Sequence, residues 1–246
     1  MAKTSEIIKV LDNYAPPELA EDWDNSGWQI FLDNDYTTKV LICLSVTEDV
    51  VNQAEELGCN LIVSHHPIIF KPLKTIKNPV IIKAIQRGIQ IYSLHTNCDK
   101  TRNGTSDLLA KKLNLKKVAA LNDFVRVGIA PYEMTVRDLA SYVKLNCNVE
   151  RIKVINNSYK NQIKTIAVCA GAGADFIEEI EKYNIDAYIT SEVKYHNALE
   201  SKRTVILDIG HYESEKPFVD EVKNILKNKK GFDVVIAKEK PAWEYV

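Results

Sequence analysis

Short continuous apolar runs alternate with helical periodicities along this chain, and polar residues collect where the runs stop. The run VLICL (40–44) reads as a buried strand. Thr47 then caps a helix carrying Val50, Val51, Ala54 and Leu57, Gly58 ends it, and LIV (61–63) is the next strand. The same succession returns at 166–192, IAVCAGAGADFIEEIEKYNIDAYITSE, and aligns with 40–66 without a gap. Cys43 falls on Cys169, Asp49 on Asp175, Val51 on Ile177, Leu57 on Tyr183 and Ser64 on Thr190. Both copies continue alike. Residues 79–88 predict a helix leading into the strand IYSL (91–94), and 193–202 predict a helix leading into VILDI (205–209).

An ungapped register through strand, helix and strand points to a duplicated unit, hence to an α/β protein of two similar lobes. The first lobe is expected over 1–124 and the second over 125–246, with the junction between about 118 and 130. There the helical DLLAKKLNL gives way to the strand-like FVRVGI (124–129). The N-terminal MAKTSEIIKVLDNY reads as an amphipathic helix capped by Thr4 or Ser5, with Ile7, Ile8, Leu11 and Tyr14 turned inward. MTVRDLASYVKLNCN (134–148) reads as a second capped helix. The last strand, DVVIA (233–237), can pack back on the first lobe and precedes the tail KPAWEYV.

Composition narrows the function classes. Lys plus Arg number 32 against 33 Asp plus Glu, so a dedicated nucleic-acid or membrane-surface binder is disfavoured. Lys111, Lys112, Lys116 and Lys117 read as a solvated face; a basic patch is the alternative. The five cysteines form no CxxC pair and read as reduced thiols of a cytoplasmic protein. Neither a signal peptide nor a membrane-length apolar run is apparent.

The chemistry lies at the strand ends, where α/β sheets place their ligands. LIV runs into Ser64, His65 and His66; IYSL runs into His95 and Asp99. AYIT runs into Ser191, Glu192 and His196, and VILDI into His211 and Glu215. All five histidines of the chain occupy these four loops. A single histidine is ordinarily a hydrogen-bonded structural residue, but five at equivalent places beside carboxylates point to a metal site. Imidazoles and carboxylates suit zinc, iron, nickel or manganese. Adjacent His65 and His66 diverge, so they suit two ions better than one, and Asp99 or Glu215 could bridge them. The expected site is a cleft between the lobes. CAGAG (169–173) lacks the dinucleotide pattern and reads as a tight turn at a helix start.

HHPIIFKPLK, HTNCD, GADFIEE…DAYITSEVKYHNALE and GHYESEKP, with DWDNSGWQI near the N-terminus, resemble the Nif-three-like family of GTP cyclohydrolase 1 type 2 homologues. The resemblance runs in order from about residue 5 to the C-terminus. It implies two like α/β lobes, two divalent ions per chain in the cleft, and a toroidal homohexamer. The implied ligands are His65, His66, Asp99, His211 and Glu215, with His95 a further ligand or its immediate support. Glu192 and His196 would line the pocket for proton transfer or substrate contact. Cys98 and Lys100 depart from the family pattern, and the large inserted domain of longer relatives is absent.

Two functions follow from these residues. One is a metal-dependent hydrolase or cyclohydrolase of a small nucleotide-like or heterocyclic substrate. The other is a ring-forming scaffold that delivers metal or engages nucleic acid or a regulatory partner without turnover.

Overall fold

The computed structural model describes residues 1–158 and 160–244; Tyr245 and Val246 of the C-terminal tail lie outside the described residues. The first six strands are β1 (Ala2–Lys3), β2 (Gly27–Ile30), β3 (Tyr36–Thr37), β4 (Lys39–Cys43), β5 (Leu61–Ser64) and β6 (Gln90–Ser93). They are followed by β7 (Lys116–Ala120), β8 (Arg126–Met134), β9 (Lys153–Ile155) and β10 (Ile163–Val168). The last three are β11 (Ala187–Thr190), β12 (Val205–Asp208) and β13 (Asp233–Ile236). The chain divides into two compact units. One comprises residues 1–101 and the chain from Phe218 onward; the other is Arg102–Pro217.

The first unit holds a five-stranded sheet of order β13-β4-β5-β6-β2, in which β2 alone runs antiparallel to its neighbour. β4, β5 and β6 are almost wholly buried, as expected of parallel strands with both faces covered. Leu41, Ile62 and Ile91 form one core with Val50, Val51 and Ala54 of the helix Glu48–Leu57 and with Ile81 and Ala84 of Pro79–Gln86. Thr47 caps the first of these helices by accepting from Val50 N at 3.3 Å, and Gly58 ends it at φ 69°. Leu57 is 43% exposed, because the sheet covers only one face of the helix. The N-terminal helix spans Thr4–Tyr14 and buries Ile7, Ile8 and Leu11, with Tyr14 half-buried. Its cap differs from expectation. Lys3 is the capping residue and uses no side-chain bond, while the Thr4 hydroxyl is drawn to Asn34 O and Thr37 Oγ1.

The second unit holds a six-stranded sheet of order β7-β8-β10-β11-β12-β9. Helix Val136–Cys147 starts with a reciprocal Thr135–Asp138 capping box and packs Leu139 and Val143 on one sheet face, beside Leu109 and Ala110 of helix Thr105–Lys112. Tyr188, Ile177 and Ile180 fill the other face.

Both sheets contain three successive parallel strands, β4-β5-β6 and β10-β11-β12, with an antiparallel edge strand, β2 or β9, beside the third. The register is also shared. Val40 pairs with Leu61 and Ile166 with Ala187, each pair displaced by the same interval in sequence. The duplicated α/β reading therefore holds at the level of individual residue pairs. The division falls at Arg102, ahead of the boundary expected near 124, because helix Thr105–Lys112 buries its apolar face on the second sheet; β13 pairs with β4 in the first, the return that the sequence allowed for. Helical periodicity marks an apolar face without saying which sheet covers it.

Candidate metal centre

In the first unit, strand ends carry three histidines into one cluster. The His65 and His66 rings lie 5.0 Å apart, His65 and His95 5.4 Å, and His66 and His95 5.8 Å. Each has its Nδ1 engaged from behind. His65 Nδ1 lies 2.7 Å from the carbonyl of Leu94, which can only accept, so Nδ1 carries a proton. His65 is fully buried, with Phe218 packed against its ring at 4.9 Å. His66 Nδ1 is 2.8 Å from Ser45 Oγ, and His95 Nδ1 is 2.7 Å from the carboxylate of Asp24. Asp99, one turn along helix Thr96–Lys100 from His95, brings its Oδ1 to 3.6 Å from His65 Nε2.

Asp24 was not singled out by sequence reasoning, although it lies in the quoted DWDNSGWQI. Its carboxylate accepts from Ser26 Oγ at 2.6 Å, Thr96 Oγ1 at 2.6 Å and Thr96 N at 3.1 Å, besides His95. Burial would raise its pKa, but the hydrogen bonds from His95, Ser26 and Thr96 outweigh burial and hold it well below the usual carboxylate range. Ser45 is held in turn by Glu239, whose carboxylate accepts from Ser45 N at 3.0 Å and Leu44 N at 2.8 Å. No spacing rule connects residue 239 to residue 45; only the pairing of β13 with β4 brings the C-terminal segment there.

In the second unit, His211 opens the helix His211–Glu215 after β12 and lies between two carboxylates. Its Nδ1 is 2.6 Å from Glu192 Oε1 and its Nε2 is 3.1 Å from Glu215 Oε1. Burial would lower the imidazole pKa, yet the bonds to Glu215 and Glu192 raise it to about 9. Glu192 adopts φ 58°, a left-handed conformation rare for such a residue, which aims its carboxylate at the ring.

The CAGAG turn takes a larger part than a tight turn at a helix start. Gly171 has φ 71°, and a Cβ there would stand 2.3 Å from Glu215 Oε1 and 3.6 Å from His211 Nε2. Gly171 N donates to Ser214 Oγ at 2.9 Å, tying the turn to the His211–Glu215 helix. Only glycine satisfies both the conformation and the close approach. The two-glycine spacing was visible in the sequence, but its partner forty residues away was not.

Among the other expected residues, His196 lies exposed on the helix Tyr195–Glu200 and makes no described polar contact with His211. Cys98 is buried and its Sγ points to Tyr14 Oη at 3.7 Å, which accounts for it structurally. Lys100 pairs with Glu21 at 2.9 Å. Lys111, Lys112, Lys116 and Lys117 are exposed, as a solvated face requires.

The donors in each unit fit a divalent ion. The imidazoles of His65, His66 and His95 with Asp99 form one set; His211 with Glu215 forms another.

Residues 2–241 match the family described as Duf34/NIF3 (NGG1p interacting factor 3). A GTP cyclohydrolase 1 type 2 homolog of Clostridium perfringens is 32% identical over 262 residues, covering 99% of this chain and all of that protein. Among solved structures, a Bacillus cereus protein related to NIF3 superposes with a TM-score of 0.91 at 22% identity. A Staphylococcus aureus protein superposes with 0.90 at 25%. Both alignments cover 99% of each chain.

Proposed function

The chain belongs to the Duf34/NIF3 family, and on that premise we propose that it is a dinuclear metal-dependent hydrolase of a small nucleotide-like or heterocyclic substrate. The similar Clostridium perfringens protein is named for GTP cyclohydrolase 1 type 2, which supports a ring-opening hydrolysis as the reaction class. The proposed ligands are His65, His66 and Asp99 with His211 and Glu215, and support comes from His65, His66 and Glu215 as a group that could hold a metal ion. His95 is a further ligand or the immediate support of one. The ion is zinc, iron, nickel or manganese. The observation that carries the reading is the clustering of His65, His66 and His95, each with its Nδ1 held from behind, by Leu94 O, Ser45 Oγ and the Asp24 carboxylate respectively.

A bound pair of divalent ions supplies Lewis acidity and lowers the pKa of water toward neutrality. The chain's own residues orient that chemistry. Asp24 holds the His95 ring, Ser45 the His66 ring, and Glu192 the His211 ring. Glu192 is the better placed of the two candidate proton carriers, because its oxygen already meets a ring proton, whereas His196 has no comparable partner. Assembly as a toroidal homohexamer in the cytoplasm completes the proposal. No helix among the described residues is long and apolar enough to cross a membrane.

Elemental analysis of the purified protein tests the premise, and about two ions per chain are expected. Turnover across purine nucleotides and related heterocycles tests the reaction. Asp99→Ala should lower kcat/KM by about two orders of magnitude or more. Equal turnover by the Asp99→Ala variant would remove the enzyme reading.

A further inference from the structure

Two large aromatic side chains stand open to solvent beside the histidine cluster of the first unit. Trp23 is 59% exposed and Phe70 48% exposed. Their rings lie 5.8 Å apart at 47°, and each is 6.3 Å from the His95 ring, which meets both nearly edge-on. Exposure of this much aromatic area costs solvation free energy unless something covers it.

The pair is held rigidly. Trp23 precedes Asp24, whose carboxylate is fixed by five hydrogen bonds. Phe70 follows Ile69, whose carbonyl accepts from Asn25 Nδ2 at 2.5 Å and whose N–H donates to Gln29 Oε1 at 3.1 Å. The two loops are thus stitched together by Asn25 and Gln29, with the aromatic faces left outside the stitching. A scatter of hydrophobic surface residues would carry no such bracing.

We propose that Trp23 and Phe70 form a ring-recognition platform that stacks a planar heteroaromatic ring and presents its edge to the His65–His66–His95 cluster. The inference rests on the proposed function and deepens it. It assigns the substrate's heterocycle, and no other part of the substrate, to two named side chains. Aromatic faces accept any π-system, so the platform selects for a flat unsaturated ring and against a sugar or a bare phosphate chain. Hydrogen-bonded selection among rings is left to other groups. Trp23 and Phe70 take no part in proton transfer; they set where the ring lies relative to the donors.

The test uses the full-length, zinc-loaded protein and calorimetric titration with guanosine, uridine, pyridine-3-carboxylate, ribose 5-phosphate and inorganic tripolyphosphate. At least one ring-bearing probe should bind, and it should bind more tightly than ribose 5-phosphate or tripolyphosphate. Trp23→Ala and Phe70→Ala should each weaken that probe about tenfold or more. Trp23→Phe should keep it within about threefold, because a ring remains. Metal content should be unchanged in all three variants, which separates loss of the platform from loss of the metal site. Unaltered ring binding in both alanine variants overturns the proposal, as does absence of ring binding in protein that holds its full complement of metal. Loss of oligomer in Trp23→Ala with ring binding intact would also overturn it and assign the pair to a subunit contact. If metal fails to load but a ring-bearing probe still binds in a Trp23-dependent way, the platform stands and the hydrolase reading falls.

Discussion

The two units carry the same strand framework to their carboxyl ends and then differ in the side chains placed there. After β5, Ser64 is followed by His65 and His66; at the equivalent end of β11, Thr190 is followed by Ser191 and Glu192. His66 is a candidate ligand whose ring is held by Ser45, whereas Glu192, in the equivalent place, holds another residue's ring. The positions preceding these interactions differ in the same sense. Ser45 supplies a hydroxyl, while its counterpart Gly171 supplies empty space against Glu215. One backbone plan thus yields a cluster of three imidazoles in one unit and a single imidazole between two carboxylates in the other. A duplicated fold fixes where polar groups can stand, and the individual side chains decide which acts as ligand and which as support.

Exchanging the two sides of this comparison gives the largest expected effect. Gly171→Ala forces a side chain into a left-handed backbone, costing about 1–2 kcal/mol, and pushes its Cβ into the Glu215 carboxylate. Loss of about 10–100-fold in metal affinity should accompany a lowered melting temperature. Ser45→Gly, the reverse exchange, removes only the hydroxyl behind His66 and should cost less by both measures. Metal titration followed by elemental analysis, with thermal melts of each variant, compares them; wild-type loading by Gly171→Ala would break the comparison.

A smaller effect is expected from the support behind His95. Asp24→Asn preserves size but replaces the charged acceptor facing Nδ1 with an amide. Metal affinity should fall by about tenfold or more, at the lower end of what an orienting carboxylate contributes. The variant should still fold, since Ser26 and Thr96 keep an oxygen to donate to. Unchanged affinity in a competition titration would mean that the Leu94 and Ser45 contacts suffice to organise the cluster.

The sequence made the candidate ligands legible and left their supports largely hidden. His65, His66, Asp99, His211 and Glu215 stand out because the five histidines and their neighbouring carboxylates fall at the ends of apolar runs, and the gapless repeat reads as a duplicated unit. Strands β2, β7 and β9 escaped notice because they are short edge strands without a continuous buried apolar run; β7 is exposed throughout, and β2 and β9 are buried over only part of their length. Asp24, Ser45, Glu239 and Gly171 were hidden for another reason. Each is an ordinary polar or small residue in sequence, and its role depends on a partner between about 20 and 195 positions away that only the fold brings near.

The remaining difference between the two units is electrostatic, and metal-stripped protein exposes it with opposite signs. Asp24 has a lowered folded-state pKa, so its contribution to stability is present above the unfolded value and is lost as pH falls through the folded one. His211 is raised from 6.5 to about 9, so its contribution is complete below pH 6.5 and is lost as pH rises through about 9. Raising the pH from 6.5 to 9 should therefore reduce hydrogen-exchange protection around the His211–Glu215 helix and leave the Asp24 loop unchanged. Glu192→Gln keeps a hydrogen-bond acceptor but removes one of the two charges beside His211. Its imidazole midpoint, read by NMR titration, should drop below 9 without returning fully to 6.5, because Glu215 still faces Nε2 at 3.1 Å. A midpoint that stays near 9 would mean that Glu215 alone sets the charge of His211, and that Glu192 supports the ring by geometry rather than by its charge.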